Sequence, residues 1–189
     1  MAPTEREWSE WAAEHNMGEI VRFHNVVRAC LAEKADEFSD DKIVKSSLEN
    51  YMQHLATNGF LMVYAYVEEW LCIMWKRIAP GEDRPRGSGI QKYAKGLKAC
   101  GLDLGSKPWR FIGEASHVRH CLLHANGRLD YMVKSSRHTL EAIVARYPGE
   151  LDVQHQRLRV QAEFTGRFVE EVRAFRDAVW EAVGRGEQS

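Results

Sequence analysis

A chain of 189 residues fits one domain by size, and its 44% apolar and 28% charged residues are enough to bury a core and keep its surface hydrated, which excludes wholesale disorder. Its four cysteines, Cys30, Cys72, Cys100 and Cys121, form no CxxC pair and sit mostly in apolar helical patterns, so reduced thiols are expected rather than a disulfide framework or a structural zinc site. The net charge of −1 argues against a chain coated in nucleic acid, yet between Lys107 and His138 six basic residues face two acidic ones, a local +4 that also holds four of the eight histidines.

The opening residues Thr4, Glu5, Arg6 and Glu7 lack the basic start and apolar stretch of a secretory signal, so a cytoplasmic location is expected. Thr4 and Glu7 have the spacing of a capping box, and apolar residues from Trp8 to Leu31 carry a first long helix to about Glu33. Ser46 and Glu49 repeat that spacing before a second long helix ending near Ile78, with Pro80 and Gly81 beyond it. From Phe60 to Trp75 its apolar residues lie on nearly all sides, as expected of a helix buried centrally or against a second subunit. The longest apolar run, Phe60 to Val67, is followed by Glu68 and Glu69 and falls far short of the roughly 20 residues a membrane span requires.

Pro80 to Gly89 is rich in proline and glycine and reads as a loop; no Lys and Ser/Thr follow Gly87 and Gly89 to make a phosphate-binding loop. A short helix from Ile90 to Cys100 is closed by Gly101, and Pro108 opens a helix to about Ala125 that stops at Asn126 and Gly127. Ser136 to Tyr147 predicts another short helix, Leu151, Val153, Leu158 and Val160 predict a β-hairpin, and the stripe from Phe164 to Val183 predicts a last helix ending at Gly184. The expected fold is therefore mainly α, a bundle of five or six helices with a small hairpin near residues 151–160, in one domain over 1–189.

The helix from Pro108 carries the densest set of reactive groups. At 100° per residue, His117, His120 and His124 fall within about 60° of one another, and Arg119 flanks that face 100° from His120. A helix C-terminus favours protonated imidazole while a neighbouring guanidinium opposes it, which keeps such a histidine near neutrality and fit to take and return a proton. A guanidinium beside it can hold a phosphate as charge develops. Together these are the parts of RNA cleavage by the ribose 2′-hydroxyl, which needs no metal and spares DNA.

Arg119, the polar His120, three residues and then His124 resemble the R, polar, spacer, H signature of HEPN domains, and two long helices, a short helix and a motif helix ending in His, Ala, Asn, Gly resemble the order of the HEPN bundle. The resemblance covers most of the chain, on a short motif. It implies a metal-independent endoribonuclease without cofactor, whose site forms between two copies in a homodimer, in a toxin-antitoxin or phage-defence setting where an antitoxin or sensor protein can partner it. By the same resemblance Arg119 takes the phosphate, His124 the acid/base role and His120 the polar position, where Asn or Asp is commoner. Asn126, Arg128 and His117 are candidates for substrate contact. The resemblance equally admits an inactive relative that dimerises or binds nucleotide or RNA.

Structural readings compete with each assignment. Arg119 can pair with Glu68 or Glu69 of the second helix, and His124 can serve as a cap or a hydrogen-bonded core residue. Trp70, Trp75 and Trp109 read as core anchors before base-stacking platforms. Zinc on His117, His120 and His124 is disfavoured, because the three span about 10 Å of helical rise and no carboxylate completes a hydrolytic centre.

Overall fold

A computed structural model describes residues 4–38, 40–87 and 89–186, so that Ser88 of the expected loop lies outside it. Helix makes up 77% of the structure, in six α-helices joined by one two-stranded antiparallel sheet among the described residues, a mainly helical fold. Two compact units are present, Met1–Val63 and Tyr64–Ser189, and their boundary falls within the second helix.

The first unit holds α1 (Glu5–Glu37) and the first part of α2 (Lys42–Ile78). The capping box at the start of α1 forms as expected: Glu7 N donates to Thr4 Oγ1 at 3.2 Å, and Thr4 N donates to Glu7 Oε2 at 2.6 Å. The helix runs a turn past Glu33, and two faces of it are apolar. Ala13 and Met17 are buried, while Trp8, Trp11, Phe23 and Val26 are exposed on the opposite side. At its start, α2 departs from the sequence reading. Asp41 Oδ1 accepts from Ile43 N at 3.0 Å and Val44 N at 3.1 Å, so the cap forms a turn earlier than Ser46, and Ser47 Oγ folds back onto Ile43 O at 3.0 Å.

The second unit takes the rest of α2, then a 3-10 turn Ile90–Tyr93, α3 (Ala94–Ala99), α4 (Lys107–His124), a second 3-10 turn Leu129–Tyr131, α5 (Lys134–Arg146), β1 (Leu151–Gln154), β2 (Arg157–Val160) and α6 (Ala162–Gly186). Within α2 the apolar girdle from Phe60 to Trp75 is incomplete. Val67, Trp70, Leu71, Met74 and Trp75 are buried, but Met62 and Ile73 lie on an open stripe with Glu69 and Lys76. The phenylalanines of α6 bind the unit together. Phe168 stacks on Tyr64 at 5.7 Å, Phe175 meets Trp70 at 6.0 Å and Trp109 at 5.6 Å, and Phe164 meets Phe111 at 5.4 Å. Trp70, Trp75 and Trp109 are thus core residues.

Helix α3 ends as Gly101 predicts, with φ +93°, Leu102 N bonded to Leu97 O and Gly101 N to Lys98 O. Helix α6 does not stop at Gly184. Val179, Trp180, Ala182 and Val183 are buried in its last turns, and their packing carries the helix two residues further. The hairpin pairs Leu151 with Val160 and Val153 with Leu158, around a turn in which His155 and Gln156 have φ +51° and +62°. Positive φ at both central residues is the geometry of a type I′ turn, usually given to Asn and Gly. Among the described residues no helix is long and apolar enough to cross a membrane.

Candidate functional site on the fourth helix

Helix α4 follows Ser106 at its N-cap position and carries Pro108 in its first turn, where no intrahelical donor is lost. Trp109, Phe111, Ile112, Ala115, Val118 and Cys121 form its buried face. Burial pushes the Cys121 thiol up to about 11, so it is a packing group and not a nucleophile. His117, His120 and His124 occupy the exposed side, as the 100° rotation requires. The rings of His120 and His124 lie 4.8 Å apart between centroids at 45°, one turn from each other. Burial, followed by the cationic neighbours His124, His117 and Arg119, holds the His120 imidazole below its ordinary value of 6.5. Two imidazoles this close do not both carry a proton readily.

Arg119 is turned onto α2. Its Nη2 donates to Glu68 Oε2 at 2.9 Å, and its Cζ stands 5.1 Å from the centre of the Tyr64 ring. Both partners of the ion pair keep about a quarter of their side chains exposed, 26% for Arg119 and 24% for Glu68. The guanidinium thus has one donor engaged and a fixed plane, with open surface beside it. Tyr64 is buried, and that burial pushes its phenol up to about 12 against the Ser116 hydroxyl and Arg119, so it remains a neutral ring under the cation. Of the two glutamates open to Arg119 in the sequence, Glu68 is the partner.

Helix α4 ends at His124 with Ala125 as its C-cap, and Asn126 and Gly127 take φ +50° and +73°, the left-handed pair expected from the sequence. Gly127 N reaches back to Cys121 O at 3.0 Å. Asn126 is exposed and its carbonyl accepts from Arg157 Nη1 at 3.0 Å. Arg128 is held by Asp130, Nε to Oδ1 at 3.0 Å and Nη2 to Oδ2 at 2.7 Å, and lies 4.9 Å from the Tyr131 ring. That guanidinium keeps the Asp130 carboxyl below the usual carboxylate range. Among the described residues no three His, Cys, Asp or Glu side chains are grouped to hold a metal ion.

Arg119, His120 and His124 thus share the end of one helix, with Arg119 on its inner flank and the imidazole pair outside. Tyr64 under Arg119 was not legible in the sequence, since nothing distinguishes it there from other apolar positions of α2. Glu68 was, as a charge interrupting an apolar run. No protein-family model matches the chain, and no curated protein or solved structure matches it.

Proposed function

We propose that the protein is a metal-independent endoribonuclease of the HEPN type, acting as a homodimer at a shared site. The observation that carries this reading is the 4.8 Å imidazole pair on an exposed helix face beside a guanidinium already oriented by an acid and a ring. In the proposed reaction one imidazole takes the proton of a ribose 2′-hydroxyl, and the freed oxygen attacks the adjacent phosphorus. The bond from phosphorus to the 5′-oxygen breaks, a 2′,3′-cyclic phosphate forms, and the departing oxygen takes a proton from an imidazolium, which balances the one removed. Arg119 holds the phosphate as its charge grows, and His124 carries the acid/base role. His120, one turn from His124, takes the supporting polar position beside it. The setting that suits such an enzyme is a toxin-antitoxin or phage-defence system, with an antitoxin or sensor protein as its restraint.

The Arg119 pair with Glu68 favours a second reading, a non-cleaving HEPN-like module that dimerises or binds nucleotide or RNA, because the carboxylate competes with phosphate for the guanidinium. Purified protein incubated with RNA in EDTA separates the two. The nuclease reading expects cleavage with a cyclic phosphate end, lost in Arg119→Ala and His124→Ala. Intact RNA with wild-type protein, or cleavage surviving either substitution, removes it.

A further inference from the structure

Among the described residues three non-glycine residues have positive φ, Asn126, His155 and Gln156, and all three lie where the hairpin meets the end of α4. Leu158 N donates to Gly127 O at 2.8 Å, Leu129 N donates to Gln156 O at 2.8 Å, and Arg157 Nη1 reaches Asn126 O at 3.0 Å. The hairpin tip is therefore hydrogen-bonded to the segment that follows His124. The two Cα atoms of His124 and Asn126 are at most about 7.6 Å apart along the chain.

This joint sets Arg128 opposite Arg157 as an antiparallel bridge. Directly opposed residues of such a pair share a face with Cβ atoms about 4.5–5.5 Å apart, and like charges there repel. Arg128 is answered by Asp130. Arg157 has no carboxylate partner among the described residues, it is exposed, and one of its five donors is spent on the Asn126 carbonyl. Beside Arg128, whose guanidinium lies over its ring, Tyr131 leaves 68% of its surface in solvent. An uncompensated guanidinium opposite a second one calls for an anion, and the open ring beside Arg128 offers a face to a flat group.

We propose that the hairpin tip and the segment 126–131 form a subsite for single-stranded RNA, in which Arg157 holds a backbone phosphate and Tyr131 stacks on an unpaired base next to the bond positioned at His124. The proposal rests on the nuclease reading for its place along the strand, but its chemistry, one phosphate contact and one stacking ring, stands on these residues alone. Stacking on Tyr131 accepts any base, so the subsite contributes grip with little sequence preference.

The test uses a short labelled 2′-O-methyl oligonucleotide, which the proposed reaction cannot cleave, and reads binding by fluorescence anisotropy across a salt series. Arg157→Gln, which keeps a donor for Asn126, is expected to weaken binding alike for different sequences and to lower the salt slope by somewhat less than one. Tyr131→Ala is expected to weaken binding about five-fold or more, while Tyr131→Phe binds as wild type. Unchanged melting temperatures establish that the variants fold. Wild-type affinity and salt slope in both Arg157→Gln and Tyr131→Ala, or no binding by the wild type, overturns the subsite. Cleavage of unmodified RNA in parallel separates the two claims. Loss of binding in the variants with no cleavage by the wild type keeps the subsite and removes the nuclease, and wild-type cleavage with unaffected variants does the reverse.

Discussion

Arg119 has a structural and a proposed chemical task, and the two differ in size. Removing it in Arg119→Ala deletes the 2.9 Å charge-assisted bond to Glu68 and the cation 5.1 Å from the Tyr64 ring. A charge-assisted bond contributes about 1.5–3 kcal/mol when shielded and an exposed ion pair about 0–1 kcal/mol. With about a quarter of each side chain open to water, the lower part of the first range applies, and the ring contact adds roughly 0.5–1 kcal/mol. The expected loss is about 2 kcal/mol, or a melting temperature lower by about 4–8 °C for a chain of this length. Urea unfolding followed by tryptophan fluorescence, on Arg119→Ala, Glu68→Gln and the double variant, should give a coupling of about 1 kcal/mol. Cleavage at a temperature where all variants stay folded should fall at least about 100-fold in Arg119→Ala, as when a preorganised donor to a developing charge is removed. A coupling within about 0.3 kcal/mol of zero would refute the ion pair. Cleavage that falls no more than the folded fraction would leave Arg119 a structural residue.

Three further outcomes follow from the same structure. The His120 imidazole, held below 6.5 by burial and its cationic neighbours, costs nothing above that pH, where folded and unfolded chains are both neutral. As pH falls through 6.5 the unfolded chain takes the proton first, so stability drops on acidification and His120→Gln should flatten part of that drop. An NMR titration midpoint at or above 6.5 would contradict the assignment, and His124→Ala should raise the midpoint. Gly96→Ala sets a helix-propensity gain of about 1 kcal/mol against crowding, since a new Cβ would lie 2.5 Å from Trp75 Cζ3. Trp75 is buried and pinned by its Nε1 bond to Asp83 O at 3.0 Å, so crowding of about 1–3 kcal/mol should win in thermal unfolding; a stabilised variant would show that the ring yields. Tyr147→Phe removes a donor 2.5 Å from Glu114 Oε2, a carboxylate that also pairs with Arg146 at 2.9 Å. A loss of about 1–2 kcal/mol is expected, non-additive with Glu114→Gln, and strict additivity would exclude the bond.

Much of the architecture was readable because local physics wrote it. The Thr4 and Glu7 box, the Gly101 closure, Pro108 in the first turn of α4 and the left-handed Asn126 and Gly127 are each set by residues close in sequence. Errors arose where two local signals competed or where packing decided. Asp41 capped α2 before Ser46 could, and buried Val183 carried α6 past Gly184. The type I′ turn at His155 and Gln156 lacks the Asn and Gly that announce one, and the ladder bonds of the hairpin hold it there.

Sequence alone determined the helical class and the shared face of His117, His120 and His124, because helical rotation is a property of spacing. Only the tertiary structure decided that Arg119 rests on Glu68 and Tyr64, 51 and 55 positions earlier, and that Arg157 meets the end of α4. Contacts across such separations depend on how elements pack, and no local pattern of residues encodes them.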